Sequence, residues 1–296
     1  LGNGSTTDSS VPVTVNAFTV GSATAVSITA GSFHTCALLN TGAVNCWGRN
    51  SFGRLGNGTT TDSSVPVAVS TFTDGVTAVS ITAGDNHTCA VLNTGAVNCW
   101  GYNAVGELGN GSTTDSSVPV TVNAFTVGSA TAVSITAGDN HTCAVLNTGA
   151  VNCWGRNNSG QLGNDNNTSS SAPVAVNAFT DVSATAVSIT AGDNHTCAVL
   201  NTGAVKCWGY NSFGQLGNGN NTSSSAPVAV NAFTDGATAV SITAGYYHTC
   251  AVLNTGAVNC WGYNFYGQLG NGSTDNSLVP AKVMLFLPGV PTGVSG

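Results

Sequence analysis

The chain of 296 residues has only 6% charged side chains and a formal net charge of -7, and it is rich in Gly, Ser, Thr, Asn, Ala and Val. That composition suits short strands and tight turns and disfavours exposed helices. Its basic residues are Arg49, Arg54, Arg156, Lys206 and Lys282, too few to form a phosphate-neutralising patch, which excludes nucleic acid as a partner. No apolar run reaches the ~18 residues of a membrane span, so membrane insertion is not expected.

In chain order the first candidate element is Val11–Val15 (VPVTV), an outer-strand sequence that stands ahead of any complete unit. Five repeats follow. The tryptophans Trp47, Trp100, Trp154, Trp208 and Trp261 are 53, 54, 54 and 53 residues apart, and His34, His87, His141, His195 and His248 keep that spacing. A period near ~50 residues built from short strands and Gly-rich turns is that of propeller blades. The units fall near residues 24–76, 77–129, 130–183, 184–236 and 237–287.

The second copy shows the expected blade. Ala78–Ala83 (AVSITA) alternates apolar and polar residues and reads as the innermost strand. Thr88–Leu92 and Ala96–Trp100 flank Asn93-Thr94-Gly95, a three-residue hairpin connection with Gly suited to its left-handed position. Val118–Val122 carries Pro119, which cannot donate to a ladder and so belongs on the outer edge. Outer-strand sequences begin at Val11, Val65, Val118, Ala172, Ala226 and Val279, six for five sets of the other strands. The surplus strand either ends a preceding blade or completes the last one in place of Val279–Val283. The expected fold is therefore an all-β propeller at 1–287, with five four-stranded blades and an extra N-terminal outer strand. Residues 288–296 (PGVPTGVSG) read as a linker resembling the start of a fibronectin type III domain.

All ten cysteines fall into C-x9-C pairs: Cys36/Cys46, Cys89/Cys99, Cys143/Cys153, Cys197/Cys207 and Cys250/Cys260. Zinc sites favour C-x2-4-C and redox motifs C-x-x-C, so these wide, regular pairs read as disulfides. Folding the hairpin about Thr94 sets Cys89 opposite Cys99 and Val91 opposite Val97. The expected location is extracellular or at the cell surface.

The histidines and tryptophans sit at repeated turn-to-strand positions, which points to structure rather than catalysis. Asp85-Asn86, Asp139-Asn140 and Asp193-Asn194 supply too few oxygens for calcium and read as turn formers. No metal site, cofactor or catalytic constellation is expected, and so no enzyme activity. The copies differ mainly just before the His and just after Trp-Gly. These positions hold Phe33, Arg49, Phe52, Tyr102, Arg156, Tyr210, Phe213, Tyr246, Tyr247, Tyr263, Phe265 and Tyr266, side chains that recognition loops favour.

Gly192, His195, Thr196, Gly203, Val205, Trp208, Gly209, Asn211, Gly214, Gln215, Leu216 and Gly217, recurring in register, carry a pattern that resembles the repeats of the regulator of chromosome condensation family. The resemblance implies a β-propeller, usually of seven blades. Family activities include nucleotide exchange on a small nuclear GTPase, chromatin binding and β-lactamase inhibition by a secreted bacterial protein. The first two need an inserted wedge or basic surface that this chain lacks, so the bacterial extracellular branch is the nearest in character. The expectation is an extracellular, non-enzymatic structural or adhesive module that can self-assemble. The alternative is a secreted propeller that binds one protein or glycan through its loop face. Partners are thus a protein, a glycan or copies of itself.

Overall fold

The computed structural model describes residues 1–73, 75–179 and 183–284. The linker expected at 288–296 lies outside them. Five antiparallel four-stranded sheets follow one another at 25–68, 78–121, 132–175, 186–229 and 239–282, each with its strands in chain order. The second blade comprises Ala78–Ala83, His87–Leu92, Val97–Gly101 and Ser116–Thr121. The one helical element among the described residues is the short turn Thr234–Gly236.

Local chemistry accounts for the blade. Gly95 closes the hairpin at φ +77°, and a Cβ there would collide with Thr131, so glycine is required by both conformation and space. The hairpin register pairs Val91 with Val97 and Cys89 with Cys99. Disulfides join Cys36–Cys46, Cys89–Cys99, Cys143–Cys153, Cys197–Cys207 and Cys250–Cys260.

The apolar core lies between blades rather than within them. Cys89, Val91, Val97 and Cys99 of the second blade pack against Ile135, Ala144 and Trp154 of the third, with Leu108 beneath. A lone sheet cannot bury both faces, so each blade is stable only against its neighbours. The inner strands converge on a common axis, whose mouth is lined by the residues following each of them, from Ala30 to Tyr246.

The surplus N-terminal strand is corrected by the structure: no strand precedes Ala25 among the described residues. Strand hydrogen bonding needs a third strand beside the segment, and none stands there. Val279 is not displaced either, because Ser277–Lys282 pairs with Val258–Gly262 in the last blade. Residues 1–23 instead seat on the first blade as the end of a preceding one would. Gly4 N–H donates to Ser64 O, as Gly58 does to Ser117 O and Gly111 to Ser171 O. Gly2 covers Trp47 as Gly56 covers Trp100, each at positive φ with no room for a Cβ.

The array is open among the described residues. Ile28 of the first inner strand is 65% exposed, whereas Ile81, Ile135, Ile189 and Ile242 are each 8% exposed. Replacing Cys143 and Cys153 by Ala frees an 11-residue loop and should lower unfolding stability by about 2–3 kcal/mol on the chain-entropy account. Urea denaturation checks this; an unchanged midpoint would assign blade stability to packing alone.

Candidate functional site

Two kinds of loop share one end of the propeller: those joining the first and second strands, and those leaving the third. Buried asparagines hold the loops leaving the third strand. Asn103 takes Leu108 N–H on its Oδ1 and donates through Nδ2 to Ser112 O and Thr114 O. Asn50, Asn157, Asn211 and Asn264 repeat the arrangement and are fully buried. The residues between these anchors are thereby displayed on a fixed frame.

Beneath the loops runs a relay between blades. Trp100 Nε1 and the Thr88 hydroxyl both donate to Arg54 O of the preceding blade, each at 2.9 Å. Glu107, Gln161 and Gln215 carbonyls serve Trp154, Trp208 and Trp261 in the same way. Four of the five histidines reach forward: His34, His87 and His141 place Nε2 at 2.8 Å from Thr88, Thr142 and Thr196 Oγ1, and His195 is 2.9 Å from Thr249 Oγ1. Since the threonine proton is committed to the carbonyl, the imidazole must donate from Nε2, which leaves Nδ1 bare. Nδ1 is buried without a partner in all four and packs beside a glycine backbone. Burial therefore lowers the pKa to about 3 in His34, about 4 in His87 and about 3 in His141 and His195. For His34 the charges of Arg54 and His87 add to it. These histidines are structural, and no His, Cys, Asp or Glu grouping fit for a metal occurs among the described residues.

The variable residues are brought together in two clusters. On the last two blades, Tyr210, Phe213, Tyr247, Tyr263, Phe265 and Tyr266 form a continuous ridge, with Phe213–Tyr263 centroids at 5.0 Å and Phe265–Tyr266 at 5.1 Å. Tyr246 joins it edge-on to Tyr247 at 4.5 Å. Three of the rings are open to solvent: Tyr266 is 81%, Phe265 65% and Tyr246, at the axial end, 55% exposed. On the first two blades, Arg49 lies over Phe33 at 5.4 Å and Phe52 packs on Tyr102 at 4.9 Å. Arg156 joins neither cluster among the described residues; its Nε is buried without a partner.

Three features were not foreseen from the residue pattern. Arg54 stands where the third, fourth and fifth copies carry Gln161, Gln215 and Gln268, buried against Phe33 and Phe52. Glu107 occupies the same repeat position, and burial raises its pKa to about 7. Disagreement among copies, the criterion applied to the loops, would have found both. Thirdly, Asp139 and Asp193, expected as turn formers, meet at the axial mouth with Tyr246. Burial, then the bond to Asp193 and the charges of Asp193 and Asp85, raises Asp139 to about 7.

Four-stranded blades around an axis, with variable loops gathered at one end, define a β-propeller. The chain belongs to the regulator of chromosome condensation (RCC1) repeat family, whose profile matches residues 41–91, 94–145, 148–199, 202–252 and 255–291. It is 35% identical over 270 residues to the ultraviolet-B receptor UVR8 of Arabidopsis thaliana, covering 91% of this chain and 60% of the receptor. It is 27% identical over 289 residues to the E3 ubiquitin-protein ligase HERC2 of Homo sapiens, covering 98% of this chain but 6% of the ligase. The chain thus spans less than two thirds of these relatives. Among solved structures, human WBSCR16 superposes with a TM-score of 0.79 at 23% identity, over 89% of this chain and 68% of that one. Yeast RCC1 (Prp20), solved bound to Kap60, gives 0.58 at 21% identity, over 88% of this chain and 75% of that one. At these identities the structures speak to fold alone.

The titrations set a pH dependence. Four histidines with lowered folded pKa bind protons in the unfolded chain first, so stability falls as pH drops below about 6.5. Asp139 and Glu107, with raised folded pKa, act oppositely: their contribution falls as pH rises from about 4 to about 7. Four groups outweigh two, so Tm should rise from pH 4.5 to a maximum near about 6.5 and level off or decline slightly above it. Differential scanning fluorimetry checks this; a Tm that falls steadily from pH 4.5 to 6.5 would contradict the neutral histidines.

Proposed function

We propose that this chain is a non-enzymatic, extracellular protein-binding module that recognises its partner through the aromatic loop face. The observation that carries the reading is the ridge from Tyr210 to Tyr266, whose outermost rings are exposed on loops anchored by buried asparagines. Exposed contiguous aromatic surface is costly in water and marks interaction sites, and Tyr is favoured at interface cores. A disulfide in each blade supports an oxidising location. No helix among the described residues is long and apolar enough to cross a membrane. Prp20p of Saccharomyces cerevisiae, a propeller of the same fold, has binding properties toward Gsp1p and histones; here a protein partner is the corresponding reading, and a glycan is the competing ligand for the same rings. Tyr246→Ala, Phe265→Ala and Tyr266→Ala combined should reduce retention of the chain on its native surface at least about tenfold. Unchanged retention, with thermal stability preserved, would remove the loop face from the account.

A second reading, self-association, is supported by the open ends. Ile28 is uncovered at one end, and His248 at the other has no threonine opposite it among the described residues. Leu269–Thr274 repeats the sequence of Leu1–Thr6, so the last blade of a second copy carries a peptide able to replace Leu1–Thr6 on Trp47. Sedimentation velocity should then show concentration-dependent oligomers that Ile28→Lys abolishes; a monomer at all concentrations would end this reading.

A further inference from the structure

The chemistry of the loop face differs sharply across its width. At its inner margin, the mouth of the axis is a cavity of about 280 Å³ lined by Asp85, Asp139, Asp193 and Tyr246, smaller than the roughly 300–1,000 Å³ of small-molecule sites. Its size fits one side chain rather than a whole ligand. Tyr246 stands beside Asp139 and Tyr247 beside Asp193, so this end of the ridge borders the two carboxylates.

Among the described residues no basic side chain acts on Asp139. The groups facing Asp139 are Asp193, Asp85 and Tyr246. Arg54 lies closer to Asp85 and Asp62, Arg156 lies near Glu107, and Lys206 is buried on the third strand of the fourth blade. A partly buried carboxylate pair without a counter-charge is destabilised by mutual repulsion, which an incoming cation relieves. Tyr rings beside the carboxylates attract an organic cation through their faces and its alkyl stem through their area. The net charge of -7 steers the same class of ligand. A hard metal ion takes oxygen ligands in preference to rings, and the ridge continues beyond the mouth through Tyr247, Tyr263 and Phe265 to Tyr266, which is the extent of a peptide rather than of a free amine.

We propose that the ridge and mouth together dock a lysine- or arginine-bearing segment of a partner protein, its cationic side chain entering the mouth between Asp139 and Asp193 while flanking apolar residues lie along Tyr263, Phe265 and Tyr266. This deepens the reading of the loop face as the binding surface and rests on it. Proton uptake by Asp139, whose pKa stands at about 7 beside Asp193, adds a pH dependence: the mouth carries more negative charge at pH 8 than at pH 5.5.

The test uses the whole chain and three synthetic nonapeptides that share apolar flanks and differ only in a central Lys, Gln or Glu, titrated by tyrosine fluorescence. The Lys peptide should bind at least about tenfold more tightly than the Gln peptide, and the Glu peptide most weakly. Asp139→Asn with Asp193→Asn, close to isosteric, should erase that preference, and lowering the pH from 8 to 5.5 should reduce it. Equal binding of Lys and Gln peptides that Phe265→Ala with Tyr266→Ala abolishes would overturn the cation while keeping the aromatic face. Binding that neither variant pair alters, or no binding of the Lys peptide at about 1 mM, would overturn the docking surface itself.

Discussion

The structure depends on one carbonyl at each of its four blade boundaries. The backbone oxygens of Arg54, Glu107, Gln161 and Gln215 each accept both the indole N–H and the threonine hydroxyl of the next blade. That pair of bonds fixes the threonine hydroxyl as an acceptor toward the preceding histidine, so a single geometry sets Trp, Thr and His at once. In the relay the indole N–H, the threonine hydroxyl and the histidine Nε2 each find a partner across a blade boundary, where an unsatisfied group would cost roughly 1–3 kcal/mol; the histidine Nδ1 atoms do not. The same boundary buries the apolar core, so polar and apolar stabilisation are inseparable here. The side chain at the carbonyl position is free to vary, and does so as Arg, Glu and Gln, because only its backbone enters the relay.

Much of this was legible in the sequence for a physical reason. Strand alternation, hairpin glycine and cysteine register are local consequences of a period of two, so Ala78–Ala83, Gly95 and Cys89–Cys99 could be read directly. The structural role of His and Trp was legible from their fixed place in every copy, but their partners were not, since His34 to Thr88 joins residues 54 apart. The Val11 run failed for a related reason. Its sequence matches an outer strand, yet strand formation belongs to a pair, and its own third strand is not beside it. The axial carboxylates were hidden because the short Asp-Asn turns look alike in sequence, and only convergence on the axis sets Asp139 against Asp193.

Repetition separates two tasks. Positions that recur fold the blade and join it to its neighbours, whereas positions that differ crowd onto one end, where buried asparagines hold loops without regard to the side chains between them. The fourth and fifth blades concentrate aromatic residues there, and the Tyr246-Tyr247 substitution removes the amide that elsewhere meets Gln161 as Asn194. Gln215 Nε2 is left buried without a partner as a result. A local loss of interblade bonding thus accompanies the gain of exposed rings, as expected where a surface serves recognition rather than stability.

The central claim is that blades are held by the relay across their boundaries, and hydrogen–deuterium exchange by mass spectrometry tests it most directly. The inner strands at Ala78–Ala83, Ala132–Ala137 and Ala186–Ala191 are covered on both sides and should exchange slowly, whereas Ala25–Ala30 and His248–Leu253, at boundaries that lack a partner blade, should exchange faster. Uniform protection across all five blades would contradict the account, because it would mean that each blade is stable without the carbonyl, threonine and histidine of its neighbour.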